Sequence, residues 1–486
     1  MRLDQLLSDD VDVSPDMAGA EIDGLTADSR DVKPGYLFAA LPGVNVDGAK
    51  FIPKALENGA VAVLTSQAGG DGRLVHAENP RQVLARAAAR FYNQQPESIV
   101  AVTGTNGKTS VVSFVRQLWR SQGVMAASVG TVGVEVPCDV EPVDDIGHTT
   151  PDPVTLQRVL DQLGQRKISH AAIEASSHGL SQYRLDGVRL AGGAFTNISR
   201  DHLDYHESFD DYFAQKMRLF GELLPPGAPA VIDADSAEAG EVIRIARARG
   251  LNVVTVGSKG ETLKLLSAEP VGYAQSLRIA AEGEEFDIYL PLAGSFQVSN
   301  ALVAAGLVMA SGNISAGSLL PALENLTGAR GRLELVGHAA AGAPVFVDYS
   351  HTPDALETAL KALRPYASGK LRVVIGAGGD RDPGKREMMG RAAADHADVA
   401  YVTDDNPRTE DPAAIRAAVQ KGCPYAANIA GRAEAIRTAI RDTGEGDLVL
   451  VAGKGHEPYQ EIGTERLPFS DHDEILAALE GQRQHD

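Results

Sequence analysis

The amino-acid sequence predicts an α/β protein built from doubly wound sheets, and three observations support this fold class. First, 486 residues are enough for about three domains of ordinary size. Second, 44% of the residues are hydrophobic and 50 are glycine, which provides for sizeable cores and many tight turns. Third, short apolar runs are repeatedly followed by polar loops and then by helical patterns, as in parallel sheets. We place the domains at residues 1–97, 98–332 and 333–486.

Composition and charge narrow the possible functions. The formal net charge of −20 argues against nucleic acid as a main partner, because phosphate backbones bind to basic surfaces. We expect no apolar run of membrane-spanning length, and the N-terminal residues contain no apolar signal core. The two cysteines, Cys138 and Cys423, do not make a disulfide framework and are expected to be ordinary thiols in a reduced cytoplasm.

The first 97 residues predict a small α/β domain with two polar loops, at 25–30 and 41–48. A polar segment ending in proline, Asn93–Glu97, is interpreted as the linker that follows it. Taken alone, the two loops are better explained as ordinary turns.

The central domain opens with a glycine loop between an apolar strand and an amphipathic helix. Ile99–Val102 predicts the strand, and apolar residues at helical spacing follow from Val111. Such a loop suits a polyphosphate, because its amides point at the anion and the helix dipole favours negative charge. The loop residues concerned are Gly104, Thr105, Asn106, Gly107, Lys108, Thr109 and Ser110.

Within this loop, Lys108 is expected to reach the β- and γ-phosphates, while the hydroxyl of Thr109 or Ser110 contacts Mg²⁺. Val102 stands where the general P-loop pattern has its first glycine, so only the shorter core of that pattern is present. The alternative interpretation is a glycine turn followed by a surface lysine.

Polar side chains follow other strands of the same domain. Glu174 ends one predicted strand and His202 follows another, so both are expected on the same rim as Lys108. A carboxylate there suits Mg²⁺. A salt-bridged acid at 174 and a structural histidine at 202 are the alternatives. Lys216 lies in a helical stretch, where pattern alone favours a surface lysine.

In the C-terminal domain, polar clusters follow three predicted strands, at 376–382, 403–408 and 452–457. Alternating strands and helices indicate a second doubly wound domain, in which these clusters converge on one rim. Arginine can hold a carboxylate through two parallel hydrogen bonds, while acids receive an ammonium group. The pattern therefore favours a small zwitterionic ligand over solvated loops.

Seven ordered motifs resemble those of the Mur ligases of peptidoglycan synthesis, across all three domains. They begin at Thr103, Glu174, Asn197, Asp348, Gly379, Asp405 and Gly453. The resemblance implies a central P-loop ATPase-like sheet and a C-terminal Rossmann-like domain. Asp405–Arg408 is similar to the signature of the members that add diaminopimelate, whose second carboxylate Arg408 can pair with.

The resemblance also implies an activity. It is the ATP-dependent addition of meso-2,6-diaminopimelate to UDP-N-acetylmuramoyl-L-alanyl-D-glutamate, through an acyl phosphate, in the cytoplasm. It implies Mg²⁺ as cofactor, ATP as substrate and a carbamylated Lys216.

The resemblance further implies a role for each site residue. The catalytic residues are Lys108, Glu174, His202 and Lys216. The metal ligands are Thr109, Ser110, Glu174, His202 and the Lys216 carbamate. The nucleotide is lined by the glycine loop together with Asn300, Arg332 and Asp348. The UDP-substrate is held by Ala27, Ser29, Val44, Asn45, Val46, His148, Thr149, Thr150, Ser176, Gln182 and Arg184. Diaminopimelate is held by Arg381, Asp405, Asn406, Pro407, Arg408, Gly453 and Glu457.

Three positions depart from the family pattern, namely Val44, His148 and Gln297, which leaves those individual contacts open. Three other functions also remain to be distinguished. The chain could add L-lysine, could be a folylpolyglutamate synthase, or could be a nucleotide-binding regulator without catalysis. Arg408 and the first domain argue against the first two. The third is opposed by the presence together of Lys108, Glu174, His202 and Lys216. The sequence leaves the oligomeric state open.

Overall fold

The computed structural model describes residues 1–43, 46–67, 69, 72–144, 146–199 and 205–483. The chain divides into two compact units, each described here by itself. The first contains residues 1–264 and 302–319, and the second contains residues 265–301 and 320–486. Both units are mixed α/β, so the predicted fold class is confirmed.

The N-terminal part of the first unit is a four-stranded parallel sheet with its strands in sequence order. The strands are β1 (Gly24–Thr26), β2 (Tyr36–Ala40), β3 (Ala62–Thr65) and β4 (Leu74–His76). The helices are α1 (Leu3–Leu7), α2 (Pro15–Ala18), α3 (Ile52–Glu57) and α4 (Pro80–Phe91). Leu37, Leu64 and Leu84 are fully buried, so α4 packs on the sheet as its apolar face requires.

The rest of the first unit is a larger sheet in which β10, β9, β5, β8, β6 and β7 lie side by side in that order. The strands are β5 (Ser98–Thr103), β6 (Ala126–Gly130), β7 (Gly133–Glu135), β8 (His170–Glu174), β9 (Leu190–Phe195), β10 (Pro229–Asp233) and β11 (Asn252–Gly257). Strand β12 (Leu263–Val271) begins in this unit and ends in the second. The helices are α5 (Lys108–Ser121), α6 (Pro153–Gln165), α7 (Ser177–Ser181), α8 (Phe209–Arg218) and α9 (Ala239–Ala248).

Strand β5 is central in this sheet, with β8 and β9 parallel to it on either side. In this register Val102 is opposite Glu174, and Thr103 is opposite Phe195. Because parallel strands end at the same edge, the loops after β5, β8 and β9 emerge together, as the sequence predicts.

The second unit contains a six-stranded sheet in the order β15, β16, β20, β17, β18, β19, parallel except for the pair β15–β16. The strands of this unit, including four outside the six-stranded sheet, are β13 (Ala274–Ala281), β14 (Glu284–Leu290), β15 (Glu334–His338), β16 (Pro344–Asp348), β17 (Leu371–Ile375), β18 (Val399–Val402), β19 (Ala427–Asn428), β20 (Leu448–Ala452), β21 (Tyr459–Ile462) and β22 (Glu465–Pro468). Two antiparallel pairs, β13–β14 and β21–β22, form hairpins.

The remaining helices follow this alternation only in part, since the first two follow each other directly and the next four lie between strands of the six-stranded sheet. They are α10 (Ser295–Gly312), α11 (Ala316–Leu319), α12 (Pro353–Leu363), α13 (Gly384–His396), α14 (Pro412–Gly422), α15 (Arg432–Arg441) and α16 (Asp471–Arg483). Thr352 and Asp411 cap α12 and α14 by accepting backbone N–H groups, and proline is the first residue of both helices.

Helix α10 meets the length and composition of a membrane span, with a mean hydropathy of 1.2 over its 18 residues. The sequence predicts no such run, and α10 is the one helix with this property in the part of the chain that the structure describes. Its apolar character has a packing explanation, since 67% of the segment is buried inside the protein. Gly306, for example, lies against the side chains of Val231, Val254 and Val256.

Close packing of α13 on α14 gives a test of the second unit. A Cβ atom on Gly390 would overlap the backbone oxygen of Val419, so Gly390→Ala forces the two helices apart. We expect a loss of about 1–3 kcal/mol in the stability of this unit, the usual cost of overpacking. The midpoint of urea unfolding measures it. Gly481→Ala in α16 is the matched control, because a Cβ atom there meets nothing. Equal midpoints for the two variants would contradict the packing.

Candidate functional site

The loop between β5 and α5 has the geometry of a phosphate site. Gly104 and Gly107 have φ angles of +150° and +86°, a backbone conformation that side chains rarely adopt. The Lys108 amine folds over the loop and donates to the carbonyl oxygens of Gly104 and Thr105, at 2.9 Å each. The amides that open α5 are therefore presented by a tight turn, as anion binding at a helix start requires.

The segment after β9 holds this loop in place. The Thr105 amide donates to the Asn197 carbonyl at 2.8 Å, and the Asn106 amide donates to the Asn197 side-chain oxygen at 3.0 Å. The Thr196 hydroxyl donates to the Asn106 carbonyl at 2.7 Å. A Cβ atom on Gly104 would overlap that hydroxyl, which explains the glycine.

Lys216 is buried at this loop, which corrects the surface lysine that the helical pattern alone favoured. Its side chain is 1% exposed, and its amine donates to the Gly104 carbonyl at 2.8 Å. The amine also lies 4.5 Å from the centroid of the Tyr212 ring, whose hydroxyl is 2.9 Å from the Thr105 hydroxyl. Helix α8 thus carries Lys216 to the same carbonyl that Lys108 contacts.

Glu174, at the end of β8, is also buried, with 1% of its surface exposed. Its carboxylate accepts the Thr131 amide at 2.8 Å and the Thr131 hydroxyl at 3.2 Å. A Cβ atom on Gly130 would overlap the carboxylate, so glycine at the end of β6 leaves room for it. Both donors from Thr131 are neutral, so these hydrogen bonds orient the carboxylate without supplying a positive charge.

The donors at this rim fit Mg²⁺ chemically. The Glu174 carboxylate and the hydroxyls of Thr109 and Ser110 are hard oxygen ligands of the kind that Mg²⁺ prefers. No group of three or more His, Cys, Asp or Glu side chains suited to a metal occurs among the described residues. The predicted ligand His202 lies outside them. The oxygen donors present therefore suit an ion that is also held by phosphate oxygens and water.

Thr150 links several of the predicted UDP-substrate residues. Its hydroxyl donates to the Glu174 carbonyl at 2.7 Å and accepts the Ser176 amide at 3.0 Å. Arg184 donates to the Thr150 carbonyl and, at 2.8 Å, to the side-chain oxygen of Gln182. The structure thus brings Thr150 together with three predicted residues that lie 26 to 34 positions later in the sequence.

The other residues predicted to bind the UDP-substrate are less closely connected to one another. Thr149 is 3.0 Å from Thr131 between hydroxyl oxygens, and His148 is exposed. In the N-terminal sheet, Ala27 and Val46 are exposed, and the Ser29 carbonyl accepts the side chain of Asn58. Val44 and Asn45 lie outside the described residues.

In the second unit, a buried amine organises the polar residues after β18 and β20. Lys454 is fully buried and donates to Asn406 at 3.0 Å and to Glu457 at 2.9 Å. Asn406 also donates to the Glu457 carboxylate at 3.0 Å. Asn406 and Glu457, two of the residues predicted to bind the amino acid, are therefore held by one cationic side chain.

Arg408 is held in a left-handed conformation, with φ +51°. Its guanidinium donates from Nε to the Glu461 carboxylate at 2.7 Å and from Nη1 to the Gly379 carbonyl at 2.8 Å. Burial acts to raise the pKa of Glu461, but the hydrogen bond from Arg408 and the charge of Arg466 lower it overall. Hairpin β21–β22 thus fixes the direction of Arg408.

The remaining amino-acid predictions surround this pair. Gly378 lies beside both Arg408 and the exposed Arg381. Gly453 has φ +115°, and a Cβ atom there would approach the Asp405 carboxylate to 2.8 Å. The predicted ligands from three strand ends are therefore neighbours.

The residues of this unit that are predicted to line the nucleotide also lie close together. The Arg332 guanidinium lies 4.7 Å from the centroid of the Tyr349 ring. Asp348 accepts the Leu333 amide at 2.7 Å, and burial raises the pKa of its carboxyl group. Asn300 donates to Gln297 at 3.0 Å, so the departure at 297 is accommodated by a buried amide pair.

Sequence reasoning missed several residues that hold these groups. Thr131 and Gly130 shape the surroundings of Glu174, and Glu461 orients Arg408. No local pattern marks them, since each reaches its partner across a hairpin or a strand end. Lys454 was visible as part of a glycine-flanked motif but was given no role.

Comparisons with known proteins agree with this geometry. Family models match residues 21–92 (Mur ligase family, catalytic domain), 102–308 (Mur ligase middle domain) and 331–455 (Mur ligase, glutamate ligase domain).

Two curated relatives are named UDP-N-acetylmuramoyl-L-alanyl-D-glutamate–2,6-diaminopimelate ligase. The one from Bradyrhizobium diazoefficiens is 50% identical over 487 residues, covering 99% of both chains. The one from Rhizobium meliloti is 52% identical over 470 residues, covering 96% of both. A solved structure of a ligase of the same name is 32% identical, covers 99% of both chains and has a TM-score of 0.74. The resemblance seen in the motifs is confirmed, and the chain belongs to the Mur ligase family.

Proposed function

We propose that this protein is an ATP-dependent ligase that joins meso-2,6-diaminopimelate to UDP-N-acetylmuramoyl-L-alanyl-D-glutamate. The observation that carries the proposal is the agreement of relatives about 50% identical over nearly the whole chain, all named for this reaction. The geometry is consistent with it, because a phosphate loop and a cluster suited to an amino acid occur in the same chain.

In the proposed mechanism, an oxygen of the D-glutamyl carboxylate attacks the γ-phosphorus of ATP, and ADP leaves. The product is an acyl phosphate, needed because a carboxylate is a poor electrophile. The diaminopimelate amine then attacks the carbonyl carbon, loses a proton and displaces inorganic phosphate. Lys108 neutralises charge on the moving phosphoryl group, and the loop amides hold the phosphates in line.

Mg²⁺ would be held by Glu174 together with Thr109 or Ser110 and the predicted His202, where it would screen the charge of the phosphate oxygens. Carbamylation would add a further oxygen ligand. In that step the Lys216 nitrogen bonds to the carbon of CO₂ and releases a proton. Its buried position beside the Gly104 carbonyl supports this assignment.

The proposal includes the predicted domain boundaries at residues 97 and 332 and a cytoplasmic location, where UDP-linked precursors and ATP are found. The partners are three small molecules, without nucleic acid or membrane insertion. The first domain would hold the UDP group through Ser29 and the 44–46 segment, while Thr149, Thr150 and Ser176 contact the dipeptide.

Phosphate release tests the proposed function directly. Purified protein is given ATP, Mg²⁺ and the UDP-linked dipeptide, with meso-diaminopimelate or L-lysine in parallel. Turnover with diaminopimelate alone is expected. Turnover with lysine would support the ligase activity but contradict the selectivity for diaminopimelate. No turnover with either amino acid would favour a nucleotide-binding regulator without catalysis.

Selectivity for diaminopimelate is expected to depend on Arg408. In Arg408→Asn the guanidinium is lost, while asparagine tolerates the left-handed conformation. Losing a charged hydrogen bond of about 1.5–3 kcal/mol should raise the KM for diaminopimelate roughly 10–100-fold. The KM values for ATP and the UDP-linked dipeptide should stay within about twofold.

The matched control for this experiment is Arg466→Gln. Arg466 donates to the other oxygen of Glu461, at 3.0 Å, but lies on the exposed hairpin. It should leave the KM for diaminopimelate nearly unchanged. A uniform loss across all three substrates in Arg408→Asn would contradict the assignment.

Lys216→Ala is expected to lower kcat by roughly 100-fold or more, the scale reported for the loss of one preorganised charge at a reaction centre. Incubation with ¹³C-bicarbonate should give a carbamate carbon signal in the native protein that is absent from the variant. Lys259→Ala, at an exposed lysine of the same unit, controls for other reactive amines. A carbamate signal that persists in Lys216→Ala would refute the modification at this residue.

A further inference from the structure

Arg81 lies at the start of α4 and joins two groups of predicted substrate residues. Its guanidinium donates to the backbone carbonyl of Pro42, in the loop that leads to residues 44–46. The next residue, Gln82, donates to the Asp186 carboxylate at 2.9 Å. The helix start is thus attached both to the N-terminal loop and to the segment that contains Arg184.

The contact between α4 and that segment is close. A Cβ atom on Gly187 would overlap the backbone oxygen of Ala85, so the chain after Arg184 runs directly against the helix. Arg218 contacts Asp186 at 3.1 Å and fixes it from the other side. Helix α4, which begins beside Arg81, and the segment that contains Arg184 are therefore packed directly against each other.

The two guanidinium groups are half-buried. Neither Arg81 nor Arg184 forms an ion pair with any residue in the described ranges, and both donate to backbone carbonyls instead. Burial lowers the pKa of Arg81, with the Tyr205 hydroxyl acting against it. Burial also lowers the pKa of Arg184; Asp152 opposes this effect, and the charge of Arg81 adds to it.

Two neighbouring positive charges that are partly removed from water are unfavourable unless an anion lies between them. Among the described residues, the carboxylate that acts on Arg184 belongs to Asp152, which already accepts the amides of Val154 and Thr155 as the cap of α6. Within the ranges that the structure describes, the protein therefore supplies no anion between these two side chains.

We propose that Arg81 and Arg184 together bind the terminal acidic residue of the acceptor, through the carboxylate that is not phosphorylated. This inference rests on the proposed function and assigns Arg81 as an additional substrate-binding residue. Arg184 donates to the Thr150 carbonyl, and Thr150 donates to Glu174 at the phosphoryl-transfer rim. That proximity favours the acidic end of the acceptor over its diphosphate.

Calorimetric titration with two acceptors tests the inference. One is UDP-N-acetylmuramoyl-L-alanyl-D-glutamate, and the other is UDP-N-acetylmuramoyl-L-alanine, which lacks the acidic residue. Arg81→Gln should weaken binding of the first about 10–100-fold, the loss of a charged hydrogen bond. Binding of the second should be unchanged. In turnover, the KM for the full acceptor should rise while those for ATP and diaminopimelate do not.

Arg86→Gln is the matched control on the same helix, since Arg86 is exposed and pairs with Asp10 instead. It should bind both acceptors as the native protein does. Arg81→Lys keeps the positive charge but loses the paired N–H donors of the guanidinium group, so an intermediate affinity for the full acceptor is expected. This second variant also provides the test if Arg81→Gln does not fold.

Other outcomes would overturn the inference. Equal weakening for both acceptors would place Arg81 on the diphosphate or the sugar, and no weakening for either would remove it from the site. If the native protein fails to bind the full acceptor, the proposed function fails. If it binds and the Arg81 variants bind equally well, only this inference fails.

Discussion

The close approach of Gly104 to the segment after β9 is the constraint on which the central site depends. Its position beside the Thr196 hydroxyl leaves no room for a side chain, and its carbonyl oxygen accepts both the Lys108 and the Lys216 amines. One backbone oxygen therefore sets the positions of two lysines from different helices. Because the loop amides are tied to Asn197, the phosphate-binding turn and Lys216 are fixed relative to each other before any ligand binds.

Cationic side chains at the other proposed ligand sites are also held in place by neighbouring groups. The chain carries a net charge of −20, yet its proposed substrates are anionic, so cations must be concentrated where they are needed. Lys454 is fully buried between Asn406 and Glu457, and Arg408 is oriented by Glu461. Each of these cations is held by a neighbour that limits its movement, which lowers the entropy lost when a ligand is bound. Arg81 and Arg184 differ, because no acidic side chain in the described part of the chain forms an ion pair with either of them.

Much of this arrangement could be predicted from sequence. The strand, glycine loop and helix around Lys108 follow from local pattern, and the rule that ligands lie at the carboxyl ends of parallel strands placed Glu174 on the same rim. What could not be predicted depends on distant contacts. The burial of Lys216 is invisible in its helix, whose apolar spacing fits a surface lysine equally well. Thr131, Glu461 and Arg81 act across hairpins or between elements, where no spacing rule applies. His202, Val44 and Asn45 lie outside the described residues and stay predictions.

The central claim is that the acceptor carboxylate is activated by phosphorylation before the amine attacks. The most direct measurement uses acceptor labelled with ¹⁸O in its D-glutamyl carboxylates, followed by mass analysis of the phosphate released in the presence of diaminopimelate. The account predicts that each phosphate released carries one ¹⁸O atom, because the carboxylate oxygen becomes the bridging oxygen of the acyl phosphate and leaves with it. Unlabelled phosphate, formed at the same rate as the amide product, would contradict the mechanism.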